Sequence, residues 1–156
     1  MQAGVVEAIY IGAEPHVLPQ AVERVRAVAG KGLEGDRYFK GEGTFYEPAK
    51  DGQDLTLIEA EAIEGLALEN GIVLEPAEAR RNLVTRGIAL NDLVGRRFAV
   101  GDVECVGSRL CDPCSHLEGL TKPGVLKGLV NRGGLRANIL NDGEIAVGAG
   151  IRIPAI

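Results

Sequence analysis

Two cysteines and a histidine lie close together in the segment SRLCDPCSHLEGL, at positions 108–120. Cys111 and Cys114 have the two-residue spacing of a redox-active dithiol, His116 follows them and Arg109 precedes them. A thiol beside cationic side chains is favoured in its thiolate form, which acts as a nucleophile and as a ligand of soft metals. The segment therefore predicts a site of thiolate chemistry.

Several kinds of site share this spacing. A thioredoxin-like oxidoreductase is disfavoured, because it carries its cysteine pair early in the fold and little of this chain follows Cys114. Covalent haem attachment is excluded, because Ser115 separates the second cysteine from the histidine. A pair of buried, unreactive cysteines is the structural alternative. A zinc site lacks a fourth ligand at a familiar spacing, and the candidates are Cys105, Asp112 and His16.

The cysteine segment lies in a basic part of an acidic chain. The formal net charge is −5, yet the stretch 80–136 holds ten lysines and arginines against five aspartates and glutamates. The overall charge argues against nucleic-acid binding. The basic stretch predicts either a solvated surface or a pocket for a small anion such as a phosphate, which arginines bind through paired hydrogen bonds.

Length and composition predict one soluble domain over residues 1–156. The chain is 46% hydrophobic and long enough to bury a single core. No apolar run approaches the roughly 20 residues that cross a bilayer, and the N-terminus lacks the basic region of a secretion signal. Three cysteines are too few for a secreted disulfide framework. We therefore expect a cytoplasmic protein with reduced thiols and no membrane partner.

The elements that must position these residues are mostly short strands. A helix is predicted at 59–71, where Asn70 and Gly71 favour a left-handed C-terminal cap. Eight or nine strands with two or three helices suggest a closed or nearly closed β-barrel with helices attached. Strands are predicted at 4–12, 22–28, 54–59, 82–88, 96–107 as a hairpin, 135–140, 144–148 and 151–153.

Three further segments complete this prediction. In the hairpin, Phe98 and Val100 should face Val103 and Cys105 across a turn at Gly101 and Asp102. A helical turn is expected at 90–95 and a short helix at 123–134. Residues 31–54 are rich in glycine and charge and predict a long loop, which is either a mobile surface segment or a lid over a ligand.

Five segments resemble the MOSC domain family, named after the C-terminal domain of molybdenum cofactor sulfurase, and they occur in the order typical of that family. They are GLEGDR at 32–37, LTLIEAEAIEGL at 55–66, RRNLVTRGIALNDLVGRRFAVGDV at 80–103, LCDPCSHLEGL at 110–120 and RGGLRANIL at 132–140. The resemblance implies a β-rich α+β fold, a MOSC-type β-barrel with a few peripheral short helices.

The resemblance also implies a role for the cysteines. A cysteine at the position of Cys114 is the family's signature residue, which carries sulfur or ligates molybdenum. Arg109 and His116 would hold its thiolate charged, and Cys111 would act as a resolving thiol or simply fill space.

The expected cofactor is molybdopterin, the organic part of the molybdenum cofactor. Arg81 and Arg136 would bind its phosphate, Asn82 and Thr85 would bond its ring edges, and the glycine-rich turn would present Asp36 and Arg37. The residues expected to bind the cofactor are Asp36, Arg37, Arg81, Asn82, Thr85, Gly134 and Arg136.

The resemblance therefore implies a protein that binds a molybdenum cofactor or carries sulfur to a metal centre. Its expected partner is molybdopterin or a sulfur-donor protein such as a cysteine desulfurase. One alternative is a molybdenum-dependent reductase of N-hydroxylated compounds, which needs separate electron-transfer proteins. A second alternative is a binding module that kept the barrel and lost the chemistry.

Overall fold

The computed structural model describes residues 2–12, 18–36, 53–110 and 133–154. These residues form eleven strands, one α-helix, α1 (Ala60–Asn70), and two 3₁₀ helices at Pro76–Ala79 and Leu90–Leu93. The strands are β1 (Gln2–Ile11), β2 (Gln20–Val22), β3 (Arg24–Val28), β4 (Gly32–Leu33), β5 (Leu55–Glu59), β6 (Leu83–Arg86), β7 (Arg97–Val100), β8 (Val103–Leu110), β9 (Leu135–Ile139), β10 (Gly143–Ala146) and β11 (Gly150–Arg152).

Seven of the strands close into a barrel. In the order β1, β6, β5, β9, β8, β7, β11 each strand is hydrogen-bonded to the next, and β11 pairs with β1. Strands β5 and β6 run parallel, and the other neighbours are antiparallel. Strand β2 extends the sheet beyond β1, and β10, β3 and β4 form a second sheet. The predicted β-barrel with an attached helix is confirmed.

Alternation along β5 shows how one strand contributes to two apolar layers. Leu55 and Leu57 point into the barrel and belong to its main core. Ile58 points outward and packs with Ile63 and Leu66 of α1. Successive side chains of a strand point to opposite faces, so β5 holds the helix on the outside of the barrel while filling its interior.

The predicted end of the helix and the predicted hairpin register are both confirmed. Gly71 has φ +68°, and its N–H donates to the carbonyl of Ala67, which completes a left-handed cap. In the hairpin of β7 and β8, Phe98 lies opposite Cys105 and Val100 lies opposite Val103.

Three predicted elements differ from the structure. The strand expected at 22–28 is divided, because β2 ends at Val22 and β3 begins at Arg24. The segment expected to be a loop begins with β4, whose two residues pair with Ala27 and Val28, and its residues 37–52 lie outside the described part. The 3₁₀ helix at Pro76–Ala79 was not predicted, although Glu75 and Glu78 form a capping box around it.

Most of the helix predicted at 123–134 also lies outside the described residues. Within the described helices, none combines the length and the apolar character that a membrane span requires.

Candidate functional site

Three neighbouring strands bring two arginines and a threonine into one row across the barrel wall. Arg136 on β9 is the Cα partner of Arg109 on β8 and of Thr56 on β5. Leu135 and Ala137, on either side of Arg136, are fully buried in the barrel core. Because side chains alternate along a strand, the row lies on the outer face of the barrel. Arg109 is exposed and Arg136 is half-buried.

A β-bulge sets the direction of Arg109. In the pairing of β8 with β9, Gly107 lies opposite Ala137 and Arg109 lies opposite Arg136, so Ser108 is an extra residue without a Cα partner. Without this extra residue, alternation would turn Arg109 toward the barrel interior. The bulge therefore places the Arg109 side chain on the same face as Arg136.

Asn82 closes a buried hydrogen-bond network beside this row. Its Oδ1 accepts two hydrogen bonds of 3.1 Å from Thr56, one from the backbone N–H and one from the hydroxyl. The backbone N–H of Asn82 in turn donates to Thr56 Oγ1 at 2.9 Å. Its Nδ2 donates to the carbonyl of Tyr10 at 3.2 Å and to Asp36 Oδ1 at 3.4 Å. Two donors and two acceptor positions are the full capacity of a side-chain amide. These contacts leave Asn82 no free donor, so the expected bond to a ring edge does not fit this geometry.

Asp36 is 3% exposed and belongs to the same network. Besides Asn82, its Oδ1 accepts a bond of 2.9 Å from the N–H of Gly12, at the end of β1. The carboxylate therefore ties the turn that follows β4 to the end of a barrel strand. The role expected for Asp36 as a direct ligand contact stays a prediction.

Arg81 joins this network to the start of β9. Its Nε donates to the carbonyl of Gly133 at 2.9 Å, and within the described residues its two terminal nitrogens have no hydrogen-bond partner. The side chain is half-buried, which leaves part of a guanidinium fork free to bind an anion. A small open cleft lies here, with room for about one water molecule, and it is lined by Tyr10, Gly12, Pro19, Asp36, Thr56, Arg80, Arg81 and Asn82.

Two other predicted cofactor residues have structural contacts instead. Thr85 is fully buried, and its hydroxyl donates to the carbonyl of Ile58 at 3.4 Å. Gly134 has φ +113°, and a Cβ atom built there would lie 2.0 Å from the carbonyl oxygen of Leu57. Only glycine permits this approach of β9 to β5. The expected ring contact of Thr85 does not fit its burial, and Gly134 is explained by packing of the backbone.

Carboxylates surround a different arginine, Arg86, near the opposite end of β6. Its Nε donates to Glu7 at 2.8 Å, and its terminal nitrogens donate to both carboxylate oxygens of Glu64. The hydrogen bonds from Arg86 hold the pKa of Glu64 below its usual value. Glu59 lies in this acidic region too, where burial and then the charges of Glu61 and Asp92 raise its pKa despite a bond from the Leu90 N–H.

The cysteine that the structure describes is not a reactive one. Cys105 is fully buried in the core, and burial raises its pKa to about 12. A thiol of this kind stays protonated and inert near neutral pH. Cys111, Cys114, His116 and Arg37 lie outside the described residues, so their expected roles stay predictions.

The described part of the site fits an anion rather than a bare metal ion. No group of three or more His, Cys, Asp or Glu side chains in residues 2–12, 18–36, 53–110 and 133–154 could hold a metal. Arg81, Arg109 and Arg136 supply several N–H donors on or beside one face, and guanidinium forks suit phosphate oxygens. These residues fit the phosphate of a cofactor, and a metal ligand would have to come from another segment.

Sequence reasoning missed two residues of this region, Thr56 and Ser108. Thr56 is a polar residue between Leu55 and Leu57 in an apolar strand, which is a signal that could have identified it. Ser108 left no comparable signal, because a bulge depends on the pairing of two strands and not on one residue type.

Comparisons with known proteins agree with the observed architecture. The sequence model of the MOSC domain family matches residues 48–152. The fold is similar to that of the YuaD protein of Bacillus subtilis, with 16% identity, a TM-score of 0.79, and coverage of 95% of this chain and 93% of that one. No curated protein matches the chain significantly in sequence.

The fold is also similar to the YiiM proteins of two bacteria. For YiiM of Escherichia coli the identity is 18% and the TM-score 0.70, with coverage of 98% of this chain and 70% of that one. For YiiM of Geobacillus stearothermophilus the identity is 16% and the TM-score 0.68, with coverage of 99% and 73%. At these identities the likeness shows a shared fold.

Proposed function

Because the chain belongs to the MOSC domain family, we propose that it binds a molybdenum cofactor, or carries sulfur for a metal centre, through the thiolate of Cys114. The observation that carries this proposal is that Arg109 and Arg136 lie opposite each other on the barrel wall. The chain continues from β8 into the cysteine segment at this point. The family is associated with molybdenum cofactor binding, which favours an anionic ligand at this face.

Covalent geometry supports the placement of the thiol near the arginines. Leu110, the last residue of β8, lies opposite Leu135, next to Arg136. Cys114 follows Leu110 by four residues in the sequence. An extended chain spans at most about 3.6 Å per residue, so the Cα atom of Cys114 lies within roughly 14 Å of that of Leu110. This bound permits contact between the thiol and a ligand held by Arg109 or Arg136, which supports the proposal.

Each described residue then has a physical role. Arg81 and Arg136 donate hydrogen bonds to the anionic group of the ligand, while Asp36 and Asn82 fix the backbone around them. When bound, the cofactor supplies a molybdenum centre that exchanges electrons and oxygen atoms, and a soft thiolate is a suitable ligand for it.

A sulfur-carrying step needs no outside oxidant. The Cys114 thiolate attacks the outer sulfur of a persulfide on a donor protein, a new S–S bond forms, and the donor cysteine leaves as its thiolate. The transferred sulfur keeps its oxidation state. Cationic side chains beside Cys114, expected to be Arg109 and His116, favour this step because they raise the fraction of thiolate.

Mass spectrometry and metal analysis of the purified protein test the proposal. The protein would be expressed with molybdenum cofactor synthesis active and then treated with a cysteine desulfurase and cysteine. We expect either stoichiometric molybdenum or an added mass of one sulfur atom, and Cys114→Ser should abolish it. Cys105→Ala is the matched control and should keep it, since Cys105 is buried in the core. An unchanged molybdenum and sulfur content in Cys114→Ser would refute the proposal.

The same samples separate the two alternatives. Turnover of an amidoxime or an N-hydroxylated base with added electron-transfer proteins identifies the molybdenum-dependent reductase. A protein that takes up neither molybdenum nor sulfur is the binding module. Cys111→Ser reports on the second thiol, because loss of persulfide release in this variant identifies Cys111 as a resolving cysteine.

A further inference from the structure

Arg109 and Arg136 lie directly opposite each other on two antiparallel strands. Side chains at such positions have Cβ atoms about 4.5–5.5 Å apart, and like charges placed there are destabilising. Among the described residues, no carboxylate forms an ion pair or hydrogen bond with either guanidinium. The two charges therefore repel each other unless another group neutralises them.

Other arginines of the described strands do not share this arrangement. Arg24 pairs with Glu144 and Arg26 pairs with Asp142 across the second sheet. Arg97 on β7 is exposed without an ion pair inside the described segments, but its Cα partner is Val106 and not a second cation. An opposed pair of cations is therefore a specific feature of β8 and β9.

The bulge at Ser108 creates this opposition. A regular strand would turn Arg109 inward, where burial of an unpaired charge is strongly unfavourable. The extra residue instead turns Arg109 to the face of Arg136 and returns Leu110 to the position opposite Leu135. Bulges are common next to functional sites because they redirect a side chain in this way.

We propose that Arg109 and Arg136 together bind one tetrahedral dianion, either a phosphate monoester on a larger ligand or a free inorganic oxyanion. Two guanidinium groups supply at least four N–H donors, which match the several oxygens and two charges of a phosphate. A carboxylate has two oxygens and one charge, and a single arginine satisfies it. The inference deepens the anion-binding part of the proposed function and rests on it, but it does not depend on Cys114.

Calorimetric titration of the full chain with inorganic phosphate and with phenyl phosphate, at constant ionic strength, tests the pair. We expect Arg109→Gln and Arg136→Gln each to weaken binding at least about tenfold, the loss of one charge-assisted bidentate contact. In the double variant, the fold-loss of affinity should not exceed the product of the fold-losses in the two single variants. Arg97→Gln is the matched control and should change binding less than about twofold, because Arg97 on β7 lies opposite Val106 and is not part of the opposed pair.

The two ligands distinguish the source of the anion. Tighter binding of phenyl phosphate identifies the phosphate of a larger ligand, and equal binding identifies a free oxyanion. Arg109→Lys keeps the charge without the fork, so it should weaken binding less than Arg109→Gln. The inference would be overturned if Arg109→Gln and Arg136→Gln both bound phosphate as tightly as the wild type. It would also be overturned if Arg97→Gln lost as much affinity as they do, or if the wild type bound acetate as tightly as phosphate. Phosphate binding is measured apart from the molybdenum and sulfur content of the protein, so a failure of the thiolate chemistry and a failure of phosphate binding are distinguished.

Discussion

A single arginine and a pair of arginines on the outer face of the same barrel differ in how their charge is neutralised. Arg86 on β6 lies between Glu7 and Glu64, and both carboxylates bond to its guanidinium. Arg109 and Arg136, on β8 and β9, lie opposite each other, and no carboxylate of the described segments pairs with them. Within the described residues, the barrel provides carboxylate partners for Arg86 and none for Arg109 and Arg136.

The difference separates an arginine that has partners within the fold from two arginines that we propose bind a ligand. Ion pairs on a surface contribute little to stability, but they remove the penalty of placing charged groups on a crowded face. A protein that leaves two cations opposed accepts a small loss of stability. Such a loss is expected where the charges are used for binding, and the following predictions test this contrast.

Deletion of Ser108 should have the largest effect. It removes the bulge, so Arg109 turns toward the apolar interior and Leu110 turns outward. We expect the free energy of unfolding to fall by more than about 3 kcal/mol, because a charge without a partner becomes buried. Urea unfolding followed by circular dichroism measures this. The control Ser108→Ala keeps the extra residue and should change stability by less than about 0.5 kcal/mol.

Removal of the neutralised arginine should have a moderate effect. Arg86→Gln leaves Glu7 and Glu64 facing each other without a cation, and its two ion pairs are partly exposed. We expect a small loss of stability at low salt, and a smaller loss at high salt because of screening. The pKa of Glu64 should return toward its usual value, which NMR titration measures. An unperturbed Glu64 titration in the variant would contradict the assigned partner.

Glu59 provides a pH-dependent test of the acidic region. Burial raises its pKa above the ordinary value of 4.5, so the folded state binds a proton more tightly than the unfolded chain. The contribution of Glu59 to stability is therefore complete below pH 4.5 and decreases as pH rises through the folded-state pKa. Glu59→Gln should remove this decrease, an effect below about 1 kcal/mol for a half-exposed group. If the free energy of unfolding of the wild type and of Glu59→Gln changed with pH in parallel, Glu59 would not be the group responsible.

The smallest expected effect is a gain in stability and not a loss. In phosphate-free buffer at low salt, Arg136→Gln should raise stability by a few tenths of a kcal/mol, because it removes the repulsion from Arg109. Added phosphate should then stabilise the wild type more than the variant. Thermal unfolding with and without phosphate measures both changes. A destabilised variant in phosphate-free buffer would show that Arg136 already has a partner within the chain.

The sequence predicted the barrel better than it predicted the site. Apolar alternation identified most strands, and the register of Phe98 with Cys105 followed from the turn at Gly101 and Asp102. The break between β2 and β3 could not be predicted, since it depends on which strand each segment pairs with. Strand β4 was missed because two residues are too few for a pattern.

The contacts of the predicted site residues depend on pairings that the sequence does not reveal. The arginine-rich stretch left a solvated surface and an anion pocket open, and the sequence does not reveal that Asn82 uses all its hydrogen bonds within the protein. Those partners are 26 and 72 residues away in the sequence. The position of Arg109 depends likewise on a bulge at Ser108 that appears only when β8 pairs with β9.

A crystal structure of the protein soaked with tungstate would show whether Arg109 and Arg136 hold one anion between them. Tungstate is a tetrahedral dianion like phosphate, and its anomalous scattering locates it without ambiguity. We expect a tungstate peak within hydrogen-bond distance of both Arg109 and Arg136. A carboxylate of this chain between the two guanidinium groups, or arginines that point apart with no peak beside them, would contradict it.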